Sequence, residues 1–321
     1  MKRQKGWYYM AKKIINTKEI SHGEWLTLRK KSIGGSDAAA LVGLSQWSSP
    51  VSLYIDKTTE TIDDTTNEAM RLGSDLEGYV AQRFTEATGK KVRNDNYMYR
   101  HDDYEFITAN IDRTVVGENA GLECKTMNSF ATYDFDAGEV PGNYYAQCQH
   151  YMAVMGYDRM YLCILVFQRG VYTIPIERDQ EFIDELIAAE VAFWNDYVIP
   201  RIMPAADGSD ATADAIAAEW PKSNGQEKYI NGLDSLCNKL DNIRTSLKML
   251  EEQKKEIENH IKLELGDYEI SEGSSWKVTY KNSTRTTLDS KRLKEAAPSI
   301  YDQYAKTTNG RTLRVSKKKG A

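Results

Sequence analysis

Asp112, Glu123 and Lys125 are the side chains in this sequence whose types and spacing most readily suggest chemistry. Asp112 stands eleven residues before Glu123, and Lys125 follows two residues later. In an extended segment side chains alternate faces, so Glu123 and Lys125 share a side about 7 Å apart while Leu122 and Cys124 take the other. Asp112 on a neighbouring strand can face the same pocket. Two carboxylates suit Mg²⁺, a hard cation that takes oxygen ligands and keeps several waters. An adjacent ammonium can position a water or meet the charge that grows on a phosphate. Glu-x-Lys is a common triplet, and on its own its usual meaning is an ion pair on a surface strand.

A third carboxylate stands on a helix. Asn67 to Thr88 reads as an amphipathic helix stopped by Gly89. At 100° per residue Met70, Gly73, Val80, Ala81 and Phe84 fall within about 60° of Glu77, whereas Glu68 and Glu86 lie opposite. A carboxylate on a core-facing stripe costs several kcal/mol unless it is paired or binds a metal. Coordination of a cation and a buried salt bridge to an arginine both meet that requirement. In the helix from Asn143 to Met155, Tyr144, Gln147 and Tyr151 share a face, which makes Gln147 either a pocket residue or ordinary core.

These residues need a scaffold. Gly34-Gly35 leads into a short helix, Ser36 to Val42, with Ser36 as the expected N-cap. Phe106 to Val116 and Gly121 to Thr126 read as a hairpin across a turn-rich tetrapeptide. Met160 to Gln168 and Val171 to Glu177 form another strand pair, and a helix from Asp179 to Tyr197 ends before Pro200. The expected order α-β-β-α-β-β-α is a mixed β-sheet core flanked by helices, an α/β (α+β) fold occupying residues 1–206. Residues 207–225 lie in a stretch rich in Ala, Asp, Ser and Gly and read as a linker. The third region, 226–321, opens on a heptad seam: Leu233, Leu236, Leu240, Ile243, Leu247, Leu250, Ile257 and Ile261, interrupted at Lys254. A long helix laid on the protein's own surface and an intermolecular coiled coil both fit it. Two short strand-like runs and a basic tail follow.

Composition narrows the class. The chain has 321 residues, 41% hydrophobic and 28% charged, with 7 Pro and 21 Gly, which excludes collagen-like and wholly disordered proteins. Apolar runs such as Tyr161 to Phe167 are far short of the ~20 residues that span a bilayer, and the basic start leads into no signal-peptide core. The expected location is the cytoplasm, with no membrane partner. Cys124, Cys148, Cys163 and Cys237 form no C-x-x-C pair and read as reduced thiols. The net charge of −5 hides an uneven distribution: residues 1–31 and 285–321 each carry +7, leaving −19 between them. Basic ends on an acidic body fit a protein that meets polyanions at limited places, or one with solvated tails.

The ordered set Trp25-x3-Arg29, Gly34-Gly35-Ser36-Asp37, Gly73-x3-Glu77, Asp112-x10-Glu123-Cys124-Lys125 and Tyr144-x2-Gln147-x-Gln149 resembles the lambda exonuclease family, specifically its YqaJ-type viral recombinases within the PD-(D/E)xK nuclease superfamily. The resemblance spans roughly Glu24 to Tyr197 and implies a restriction-endonuclease-like core. It implies a 5′-to-3′ exonuclease on linear double-stranded DNA that uses two Mg²⁺, with Mn²⁺ as a substitute, and leaves a 3′ single strand for an annealing protein. Carried over by position, Asp112, Glu123 and the main-chain carbonyl of Cys124 look like ligands of one metal, with Glu77 and Asp112 nearer the second. Lys125 looks like the residue that orients the attacking water, helped by Gln147. Arg29 and Ser36 resemble a pocket for a terminal 5′-phosphate, and Tyr144 a further DNA contact. Ile111 replaces the superfamily's proline, and the region after Leu233 lies outside the minimal core. The family often forms a ring round DNA, so a homo-oligomer is expected, with the extra helix supporting, replacing or decorating that ring. The rival readings are a site-specific or structure-specific endonuclease with the same metal site, and a catalytically silent DNA-binding or coiled-coil adaptor.

Overall fold

The computed structural model describes residues 11–60, 62 and 66–318. The start of the basic opening segment, residues 1–10, and Lys319 lie outside them. The chain forms two compact units that meet in sequence at Trp220 and Pro221.

In the first unit, β1 (Lys12–Asn16) is followed by α1 (His22–Lys30), α2 (Gly35–Leu41), α3 (Pro50–Thr58) and α4 (Glu68–Thr88). Local chemistry sets several of the ends. Ser21 and Glu24 form a reciprocal capping box on α1, and Ser49 caps α3 with Pro50 at its first turn. Asn67 caps α4, and Gly89 at φ 72° ends it in the left-handed conformation that glycine adopts without strain. The cap of α2 is Gly34 and not Ser36, which sits inside the first turn; Asp37 Oδ2 accepts the Gly34 N–H at 3.0 Å and does the capping from within the helix.

Next come β2 (Val92–Asn94), β3 (Tyr97–Arg100), β4 (Thr108–Ala109), β5 (Arg113–Val115) and β6 (Ala120–Met127). The expected single strand from Phe106 to Val116 is broken in two. β4 pairs with β3 in a small antiparallel sheet of order β1-β3-β4, whereas β5 joins the main sheet, and the chain changes sheets between Ala109 and Arg113. α5 (Gly142–Met155), β7 (Arg159–Val166), β8 (Gly170–Glu177) and α6 (Gln180–Phe193) complete the core, and one wider helical turn at Trp194–Val198 extends α6.

The main sheet has the order β2-β5-β6-β7-β8 and is mixed as expected. β6 and β7 are parallel, with Glu123 opposite Leu162 and Lys125 opposite Ile164, and α5 makes the crossover between them. α4 covers one face through Val80, Ala81 and Phe84 against Leu122, Cys124, Tyr161 and Cys163. α5 covers the other through Cys148, Tyr151, Met152 and Met155, which cluster with Leu162, Ile164 and Val166. A buried ion pair locks α5 to α6 and β4: His150 Nδ1 lies 2.8 Å from Glu190 Oε1 and its Nε2 lies 2.8 Å from the Thr108 carbonyl.

The stretch expected to be a linker contains α7 (Asp210–Glu219), whose Ala211 and Thr212 are buried. Thr212 Oγ1 shares a 2.8 Å hydrogen bond with Ser49 Oγ at the start of α3. The first unit therefore continues through α7, because a run rich in Ala is as good a helix former as it is a spacer once one face finds a partner.

In the second unit, α8 (Leu233–Leu265) is one unbroken helix of 33 residues, bounded by Gly232 and Gly266. β9 (Ile270–Glu272) and β10 (Lys277–Thr279) form an antiparallel hairpin, followed by the short helices α9 (Ser290–Ala296) and α10 (Pro298–Tyr304). Among the described residues no helix is long and apolar enough to cross a membrane.

Candidate active site

β6 carries the centre of the site. Its even-numbered residues Leu122 and Cys124 face α4, so Glu123 and Lys125 face α5 on the other side of the sheet. β5 pairs with β6 at Thr114↔Gly121 and Arg113↔Leu122. One residue further, Asp112 replaces a backbone partner with its side chain, and its Oδ2 accepts the Cys124 N–H at 2.8 Å. The sheet switch thus places Asp112 beside Glu123 where β6 would otherwise have an open edge.

Glu123 is 3% exposed. Its Oε1 accepts from Lys125 Nζ at 2.7 Å and from Gln147 Nε2 at 2.7 Å. Its Oε2 is buried and has no hydrogen-bond partner among the described residues. Gln147 Nε2 also donates to the Tyr151 hydroxyl at 2.9 Å, so both amide hydrogens are committed and the amide orientation is fixed. Lys125 Nζ lies 5.3 Å from the Tyr144 ring centroid. Burial, with Glu123 and Glu77 nearby, pushes the Asp112 carboxyl well above the usual carboxylate range. Burial disfavours the Lys125 ammonium, yet Glu123 and Asp112 outweigh it and hold its pKa above the ordinary lysine value. Negative charge around Asp112 is relieved when a cation sits beside it.

Glu77 comes from α4, on the opposite face of the sheet, and is half-buried: the apolar stripe is buried at Val80, Ala81 and Phe84, but Met70 is 55% exposed. The arginine that the helix reading left open is Arg113. Its Nη1 pairs with Glu77 Oε1 and donates to the Asp112 carbonyl at 2.8 Å. Alternation from Asp112 puts Arg113 on the α4 side, which is the signal that could have found it.

Among the described residues no group of three or more His, Cys, Asp and Glu side chains is gathered to hold a metal ion. Lys125 engages Glu123 and Arg113 engages Glu77, each a cation resting on a carboxylate. The donor set nevertheless fits a hard cation, because Asp112 and the unpartnered Glu123 Oε2 lie beside the Cys124 main chain, and Mg²⁺ needs only one or two carboxylates with water completing its shell.

A second cluster lies at α1, α2 and α3. Arg29 Nη2 donates to Ser36 Oγ at 2.7 Å and stands 3.7 Å from Asp37 Oδ1. Lys57 on α3, its side chain 1% exposed, reaches Asp37 at 2.8 Å and Asp56 at 3.3 Å. Burial raises the Asp37 carboxyl, but Lys57 and Arg29 outweigh it and hold its pKa below the ordinary value. The Gly34 N–H at the start of α2 is taken by Asp37 and is not free for an anion. What the cluster offers an anion is the cations Arg29, Lys30 and Lys57, which with Leu26, Ile62 and the carboxylate of Asp56 line a hollow of about 160 Å³. Lys57 and Asp37 acquire their part only through the packing of α3 on α1 and α2.

The two clusters touch. A β-carbon at Gly35 would lie 2.5 Å from Tyr151 Cε1 and 3.1 Å from Gln147 Cγ, so α2 rests directly on the residues that hold Gln147. The structure therefore brings Asp112, Glu123, Lys125, Gln147, Tyr144 and the Cys124 main chain together, sets Glu77 beside them through Arg113, and joins Arg29 and Ser36 to them across Gly35.

Residues 24–158 match the YqaJ-like viral recombinase domain. Over 311 residues the chain is 35% identical to the uncharacterized protein YqaJ of Bacillus subtilis (strain 168), covering 95% of this chain and 97% of that one. Among solved structures it is similar to the alkaline exonuclease LHK-Exo of Laribacter hongkongensis, with 21% identity and a TM-score of 0.46, over 56% of this chain and 94% of that one. A phage-related exonuclease of Haemophilus somnus 129PT shares 16% identity at a TM-score of 0.40, over 51% of this chain and 83% of that one.

Proposed function

The chain belongs to the family of YqaJ-like viral recombinases, and from that membership together with the site on β6 we propose that it is a Mg²⁺-dependent 5′-to-3′ exonuclease acting on the ends of double-stranded DNA. The observation that carries the reading is the Asp112–Glu123–Lys125 group, with a buried carboxylate oxygen left without a partner. Asp112, Glu123 and the Cys124 carbonyl would hold Mg²⁺, with Glu77 and Asp112 toward a second ion. When bound, the metal lowers the pKa of water and neutralises charge on the phosphate.

The protein's own groups do the rest. Lys125 stays charged at neutral pH, so its role is that of a donor: it orients the attacking water or the scissile phosphate and meets the negative charge that develops there. Gln147 fixes the Glu123 carboxylate in the orientation its unpaired oxygen needs. Arg29 and Ser36 receive the terminal 5′-phosphate, with the guanidinium giving a charge-assisted fork and the buried Lys57 holding Asp37 behind them. The product would be duplex with a 3′ single strand, the substrate of an annealing protein. The test is to incubate linear duplex labelled at either the 5′ or the 3′ end, with Mg²⁺ or with EDTA. Mg²⁺-dependent release of the 5′ label as mononucleotide supports the reading; early release of the 3′ label, or release in EDTA, contradicts it.

A further inference from the structure

The seam of α8 is in the open. Leu236, Ile243, Leu247, Leu250 and Ile257 are 55–63% exposed, Leu233 and Ile261 less so, and Leu240 is half-buried. In heptad terms the a positions are Leu233, Leu240, Leu247, Lys254 and Ile261, and the d positions are Leu236, Ile243, Leu250, Ile257 and Glu264. Such a stripe on a helix about 50 Å long needs a covering helix of the same period.

Charge decides which helix and in which direction. If a second copy lay parallel, equal positions would face each other: Lys254 would meet Lys254 and Glu264 would meet Glu264 in the seam. Lys239 at g would face Arg244 at the following e, twice. Every one of these contacts is between like charges. If the second copy ran antiparallel, each a position would face a partner's d position. The register that aligns the two helices end to end puts Leu247 against the partner's Leu250, Leu240 against the partner's Ile257, Ile261 against the partner's Leu236 and, at each end, Leu233 against the partner's Glu264. The flanks then place Arg244 beside the partner's Glu251, twice by symmetry, with no pair of like-charged Lys, Arg, Asp or Glu. Lys254 falls against the partner's Ile243, and its charge is already met on its own helix by Glu251 at 3.7 Å and Glu258 at 3.9 Å, so its stem can lie along the seam. The C-terminal tail meets α8 off the seam, Lys317 at Asp241.

We propose that α8 pairs with α8 of a second copy of this chain as an antiparallel two-helix coiled coil, with Arg244 and the partner's Glu251 fixing the direction. This is independent of the catalytic reading, since none of these residues belongs to the site on β6.

The test uses the full chain with Cys237→Ser. Variants carrying Leu236→Cys and Ile261→Cys are mixed and oxidised. The antiparallel coil brings position 236 to the partner's position 261 and keeps the two 236 positions about 37 Å apart, so the expected product is the mixed 236–261 disulfide. A 236–236 disulfide, or no cross-link with a monomeric mass in solution, overturns the proposal. The sign of one charge change tests it separately. Arg244→Glu should weaken the dimer roughly five- to tenfold, as two flanking attractions become repulsions, and adding Glu251→Arg should restore it. In a parallel coil Arg244→Glu would instead face Lys239 and tighten the dimer, which would contradict the assignment.

Discussion

Lys125 and Arg29 carry the roles that single substitutions test most sharply. In the proposed mechanism Lys125→Ala removes a charged donor from the reacting phosphate, and loss of one such donor typically costs about 10²- to 10³-fold in rate. Single-turnover cleavage should fall by that order while DNA binding persists, because an interaction made in the transition state need not contribute to ground-state affinity. A Lys125→Ala enzyme with near-normal turnover would remove the lysine from the mechanism. Arg29→Ala should lose most of the preference for 5′-phosphorylated over 5′-hydroxyl ends, a charged hydrogen bond being worth about 1.5–3 kcal/mol. Competition between the two ends, measured on wild type and variant, checks it. Lys125, Asp112 and Glu123 stand out in the sequence by type and spacing, whereas Arg29 enters only through the family resemblance. Arg113 and Lys57 do not stand out, because neither has a role until a strand and a helix from elsewhere in the chain are packed: Arg113 answers Glu77 across the sheet face, and Lys57 answers Asp37 from α3.

At the scale of elements, helix ends with side-chain caps are readable and short strands are not. Asn67 and Gly89 bound α4 because each satisfies or terminates a helix locally. The break between β4 and β5 depends on two sheets competing for one chain, and nothing local marks it. The junction of α2 with α5 yields a prediction. Gly35→Ala would drive a β-carbon into the Tyr151 ring and displace Gln147, with an overpacking cost of about 1–3 kcal/mol. Its cleavage rate should fall more than its 5′-phosphate preference, a split that rate measurements on both kinds of end resolve. The His150–Glu190 pair gives a pH dependence. Burial disfavours the imidazolium, but Glu190 outweighs it, and the His150 pKa in the folded protein lies above its ordinary 6.5. The stability this contributes is complete below pH 6.5 and is lost as pH rises through the folded value. Denaturation midpoints of wild type and His150→Gln should therefore differ most at about pH 6 and converge as pH rises; a gap that widens with pH would refute the assignment.

For the whole molecule, the proposed ligands all lie in the first unit, and the seam that would join copies lies in the second. Cutting after Trp220 keeps α7 on α3, so the shortened chain should cleave DNA in a single turnover at close to the full-length rate and lose self-association. Mass in solution together with single-turnover kinetics measures both. In the proposed function this site degrades DNA from an end. The most direct measurement is digestion of one duplex sequence in two forms, linear and covalently closed, in Mg²⁺. The linear form should be consumed to mononucleotides and single strand while the closed circle survives; nicking or cutting of the circle at a comparable rate would make the enzyme an endonuclease.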